Sequence, residues 1–125
     1  MENGEELMNV DILKSAGIDY DSGVERFSGL DAVYQKFLRM FPDDPSYNNT
    51  IDAIKKEDYE GAFTSAHTLK GTAGNLSLSE LYKTCSLLVE DLRVKKTDNL
   101  TTHLDAMTES YKKTTEAIKK AAADE

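Results

Sequence analysis

The sequence predicts an all-α protein: an antiparallel up-down four-helix bundle with a short N-terminal accessory helix. Three observations lead there. Apolar residues recur at three-, four- and seven-residue steps through most of the chain, the repeat of one helix face. Strand signals are almost absent, with no sustained alternation and no Asn-Gly or Asp-Gly turn between β-branched runs. The links between periodic segments are short, which makes consecutive helices antiparallel neighbours. The 125 residues, 39% hydrophobic and 30% charged with no Trp, suit one domain spanning 1–125 with a core of its own.

Each element has its own signal. Met8, Ile12 and Leu13 share a stripe that Gly17 stops, giving the lead-in helix. A broken segment follows, carrying Val24, Phe27, Leu30, Val33, Tyr34, Phe37, Leu38 and Phe41, with Ser28-Gly29 as the interruption and Asp31 as a helix start. Pro42 and Pro45 punctuate the chain, after which Ile51 and Ile54 continue an apolar face up to Lys55-Lys56-Glu57-Asp58. Asp58 is the expected N-cap of a long helix running to about residue 76. Ser77-Leu78-Ser79-Glu80 reads as a capping box with Ser77 as N-cap, opening a helix with Leu81, Cys85, Leu88 and Leu92 on one stripe. Thr97-Asp98-Asn99 caps a last helix over about 98–122, with Leu100, Leu104, Met107, Tyr111 and Ile118 inward. The alanine-rich tail, 121–125, is expected to fray.

Composition excludes several function classes. A net charge of −8 argues against nucleic acid, since Lys95-Lys96 and Lys119-Lys120 are too short to form a phosphate-binding patch. Cys85 is the one cysteine, so neither an intramolecular disulfide nor a cysteine-based zinc site can be assembled. No apolar run approaches the ~20 residues of a membrane span. The acidic start Met1-Glu2-Asn3-Gly4-Glu5-Glu6 is unlike a signal peptide. A cytoplasmic protein without direct membrane contact is the expectation.

The helix over 58–76 breaks a rule. On a wheel of about 100° per residue, Tyr59, Ala62, Ala66, Leu69, Ala73 and Leu76 form the arc that faces the core. His67 lies off that arc. Phe63, Lys70, Gly71 and Gly74 fall within about 60° of it and share its strip. Each glycine inside a helix costs about 0.8–1 kcal/mol against alanine, so two on one face ask for a use. Their missing side chains allow a partner's backbone or a phosphoryl group to approach the imidazole. Lys70, three residues on, can reach the same spot. A histidine nucleophile for phosphoryl transfer needs an exposed ring nitrogen, a cation for the equatorial oxygens and room for in-line approach. His67, Lys70 and the two glycines supply these.

Other readings fare worse. His103 lacks such neighbours and reads as a solvated helix residue. A metal at His67 lacks partners, because the residues three and four away are Phe63, Thr64, Lys70 and Gly71. Gly-x-Ser-x-Gly is absent, Cys85 is in phase with the core stripe, and no Walker A or kinase signature is present. The chain should therefore receive a phosphoryl group rather than make its own donor.

The run Ala66-His67-Thr68-Leu69-Lys70-Gly71-Thr72-Ala73-Gly74-Asn75-Leu76 resembles the signature of the histidine-containing phosphotransfer (HPt) domains of two-component phosphorelays. Gly23-Val24-Glu25-Arg26-Phe27-Ser28-Gly29 and residues 34–41 look like that family's early helices. The likeness covers about 18–93 and reaches the last helix by pattern alone. The resemblance implies a non-enzymatic carrier: His67 accepts a phosphoryl group from a receiver-domain aspartyl phosphate and passes it to another receiver. It implies charge support from Lys70, close docking at Thr64, Gly71 and Gly74, and an apolar docking contact at Phe63. It also implies no cofactor of its own, Mg2+ being held by the receiver. An acidic monomer is the expected state, with a weak dimer through a long exposed face as the alternative. Ser77 stands where many members carry glycine, and Val89 where a Leu-Glu pair is common. Thr68 replaces the acidic residue that follows the histidine in kinase dimerisation helices. A docking module of the same fold that has lost phosphotransfer is the alternative, and the presence of both His67 and Lys70 favours the carrier. A receiver phosphatase would want a carboxylate or amide beside His67 to position water, and the helix places none there.

Overall fold

A computed structural model describes residues 7–123. These contain seven α-helices: α1 Val10–Ser15, α2 Tyr20–Arg26, α3 Asp31–Met40, α4 Ser46–Lys55, α5 Tyr59–Asn75, α6 Ser79–Arg93 and α7 Leu100–Ala123, with a 3-10 turn at Phe41–Asp43 between α3 and α4. No strand occurs among the described residues, as expected. The acidic start at 1–6 and the final residues 124–125 lie outside them.

The helices α4, α5, α6 and α7 each pack against the next. Phe63 of α5 meets Arg93 of α6, and Gly74 of α5 meets Tyr82 of α6, so this pair runs antiparallel. Tyr47 of α4 stacks on Tyr111 of α7 with ring centroids 3.9 Å apart, and its hydroxyl bonds Thr108 at 3.1 Å. Leu69, Leu81, Leu88, Met107 and Ile118 are buried between them. The expected α5 arc is confirmed at Ala62, Ala66, Leu69 and Ala73, each fully buried. Tyr59 departs from it, 38% exposed, because it opens the helix at the rim, beside Phe63 and Arg93. Cys85 is a core residue whose thiol burial pushes up to about 12.

Two other helices cover the C-terminal half of α5. Tyr34 of α3 is fully buried, and its hydroxyl donates to the Leu76 carbonyl at 2.7 Å. Burial raises that phenol well above its ordinary value. Gly23 of α2 lies under the same ring: a Cβ there would sit 2.1 Å from Tyr34 Cζ. The ring is pinned by its hydrogen bond, so Gly23→Ala is expected to cost about 3 kcal/mol through overpacking. A urea midpoint equal to the wild type's would contradict this. The apolar residues of the α3 segment divide between core and surface. Leu30, Val33 and Phe37 are 54%, 37% and 40% exposed, because α3 covers its inner arc of Tyr34 and Leu38 and leaves the adjoining stripe to solvent.

Helix ends hold the remaining surprises. Ser77 is not an N-cap. It sits at φ 54° and closes α5, its N–H donating to the Gly74 carbonyl at 3.1 Å while the Leu78 N–H donates to that of Ala73 at 2.8 Å, the paired bonds of a Schellman closure. Leu78 is the N-cap of α6, without a side-chain capping bond, so the capping box does not form. Glycine would adopt this left-handed backbone without the cost that serine bears. Asp58 does cap α5, its carboxylate accepting from the Gly61 N–H at 2.9 Å. The tail does not fray at its start: Ala121 is fully buried, its carbonyl accepts from the Asn9 N–H at 3.1 Å, and α7 runs to Ala123.

Candidate functional site

The site is built on α5 midway along the bundle. The core arc fixes the helix's rotation, so the residues opposite must face out. His67 is exposed, as are Thr64 and Gly71, while Phe63, Lys70 and Gly74 are half-buried. The Phe63 ring stacks against the imidazole, centroids 5.9 Å apart and planes 16° from parallel. The guanidinium of Arg93 lies 5.3 Å from the Phe63 ring centroid. Thr64 is held by its hydroxyl, which donates to the Glu60 carbonyl at 3.2 Å.

A groove of about 620 Å³ opens beside His67. Lys70, Gly71, Gly74 and Asn75 line it from α5, Ser22 and Arg26 from α2, and Tyr82 and Lys83 from α6. Three cations therefore meet at one edge of a chain whose net charge is −8. The two glycines do different things. A Cβ on Gly71 would meet nothing within 4 Å, so its missing side chain leaves open approach. A Cβ on Gly74 would stand 3.2 Å from Tyr82 Cε1, so that glycine makes room for the protein's own ring. The expectation of open space at Gly74 is corrected accordingly. Asn75 brings an amide into the groove that adjacent helix positions did not reveal.

Arg26, Tyr82 and Lys83 are the residues that sequence reasoning missed. Tyr82 carried a faint signal, an aromatic off the Leu81, Cys85, Leu88 stripe; Arg26 carried none, since only packing brings α2 here. His103 is also corrected. It is not solvated but pairs through Nδ1 with Asp91 Oδ2, both side chains largely buried between α6 and α7. Among the described residues no group of three or more His, Cys, Asp or Glu comes together to hold a metal.

The profile of the Hpt domain family matches residues 32–121, from α3 through most of α7. The chain belongs to the Hpt family. No curated protein and no solved structure matches it significantly. Hpt domains perform histidine phosphotransfer in phosphorelays, as carriers rather than kinases, and interact with receiver domains of two-component systems. No helix among the described residues is long and apolar enough to cross a membrane.

Proposed function

We propose that this chain is a cytoplasmic, monomeric phosphorelay intermediate in which His67 takes a phosphoryl group from a receiver-domain aspartyl phosphate and returns it to another receiver. The observation that carries this reading is the exposed imidazole beside an open glycine and a lysine in one groove. The lone pair of the unprotonated ring nitrogen attacks phosphorus. The bond from phosphorus to the aspartyl oxygen breaks, and its electron pair leaves on the carboxylate. A phosphohistidine results, and the reverse displacement unloads it.

Each neighbour has a part. Gly71 leaves the in-line path clear, and the Lys70 ammonium balances charge on the equatorial oxygens. Thr64, Phe63 and Gly74 border the surface that a receiver covers. Mg2+ is expected on the receiver, with no cofactor assigned to this chain. An antiparallel four-helix arrangement of α4 to α7 gives α5 a rigid support, which keeps the imidazole where an incoming phosphorus needs it.

The reading is tested by single-turnover transfer from a radiolabelled receiver phosphate. The wild type is expected to strip the receiver and become labelled. Lys70→Ala is expected to slow the step about ten- to a hundredfold, the worth of one charge-assisted hydrogen bond, and to reach the same end point. Label that stays on every receiver tried contradicts the carrier role, and an unchanged rate in Lys70→Ala contradicts that residue's assignment.

A further inference from the structure

Lys70 is the one cation of the strip that shares α5 with His67, and its position is not left to its own flexible stem. Its Nζ lies over the Tyr82 ring, 5.6 Å from the centroid. Tyr82 comes from α6, is 41% exposed, and lines the groove that His67 and Lys70 also line. The ring is brought up against α5 at Gly74, where any Cβ would stand 3.2–3.3 Å from its edge. Lys83, the next residue on α6, lines the same groove.

We propose that Tyr82 is a positioning residue for Lys70: its ring face holds the ammonium at the groove edge beside His67, and Gly74 exists to admit that ring. The proposal rests on the carrier reading and deepens it. A free lysine samples many rotamers, and in each one that points away from the groove its charge is of no use to a phosphoryl group. A cation over an aromatic face is attracted by the ring's quadrupole, and phenylalanine supplies that face as well as tyrosine. Leucine keeps comparable bulk without it. Tyr82 thus acts through Lys70, and its contribution must vanish when Lys70 is gone.

The test is a double-mutant cycle on the transfer rate, with Tyr82→Leu and Tyr82→Phe made in the wild type and in Lys70→Ala. Tyr82→Leu is expected to slow transfer about two- to fivefold, the range of an exposed cation–π contact. Tyr82→Phe is expected to keep the wild-type rate, and Tyr82→Leu to add nothing in the Lys70→Ala background. Equal slowing in both backgrounds overturns the proposal, since Tyr82 would then act on the receiver itself. A second readout needs no partner: the Lys70 ε-methylene protons should resonate upfield in the wild type and Tyr82→Phe, and return to the ordinary position in Tyr82→Leu. An ordinary position in the wild type overturns this proposal alone, whereas a wild type that takes no phosphoryl group overturns the carrier reading with it.

Discussion

His67→Ala is expected to abolish phosphoryl uptake and to leave the fold standing. The imidazole is exposed, and the arc that holds α5 in place consists of Ala62, Ala66, Leu69 and Ala73, none of which the substitution touches. The substitution removes the stack of the imidazole on Phe63, but alanine is the better helix former by a few tenths of a kcal/mol, about enough to offset that stack. Thermal unfolding by circular dichroism should therefore shift by no more than about 0.5 kcal/mol in stability. Uptake should fall to nothing, because no other residue lining the groove offers a comparable nucleophile: Lys70, Lys83 and Arg26 are cations, and the hydroxyls of Ser22, Ser77, Ser79 and Tyr82 are weak nucleophiles without an adjacent base; Cys85 lies outside the groove, fully buried in the core. Retained labelling of the variant would place the acceptor elsewhere, and collapse of the fold would contradict the rotation assigned to α5.

Gly71→Leu should separate stability from function in the opposite sense. Nothing lies within 4 Å of a Cβ at this position, so leucine enters without strain. Replacing a mid-helix glycine by a strong helix former should stabilise the chain by about 0.8 kcal/mol. The same side chain projects within about 40° of the imidazole around the helix, into the path a receiver must use. Displacing the donor by an ångström is enough to cost about a hundredfold in transfer rate. A raised unfolding midpoint with transfer cut by that factor is the expected pair of results. Transfer at the wild-type rate would show that the open face at Gly71 is not where the receiver approaches.

Much of this was legible in the chain itself. The alanines and leucine at 62, 66, 69 and 73 declare the buried side of α5 by spacing alone, and once that side is known the strip holding His67 follows from helix geometry. The all-α class follows in the same way from periodicity. Helix ends were harder. Five helices close through paired Schellman bonds, and the left-handed residue is glycine only at Gly17; at Ser28, Glu57, Ser77 and Lys95 it is a residue that carries no stop signal. The paired closing bonds hold those residues in a conformation costing about 1–2 kcal/mol, which the residue types themselves do not announce. Ser77 therefore passed for the start of α6 when it is the end of α5.

The site shows the same division. A helical wheel gives directions on one helix and says nothing of what stands opposite. Gly71 and Gly74 are about 40° and 20° from His67 on that wheel, nearly equivalent by direction; only the presence of Tyr82 makes one open and the other occupied. Arg26 and Lys83 reach the groove because α2 and α6 flank α5, a fact of packing. His103 and Asp91 stand 12 residues apart on different helices, beyond any local pattern. Along α3 the division has a related cause: apolar spacing marks which residues share a face, and only packing decides that Leu30, Val33 and Phe37 stay partly in solvent, Phe37 keeping a ring contact with Phe27 at 5.4 Å.

The most direct measurement of the central claim is intact-mass analysis of the wild-type protein after incubation with phosphorylated receiver domains, several receivers being tried because partner choice matters. The expected result is a gain of one phosphoryl group that is labile in acid, stable in base and mapped by fragmentation to His67. No gain from any receiver, with binding to a receiver still detectable, would contradict the carrier and leave a docking surface in its place.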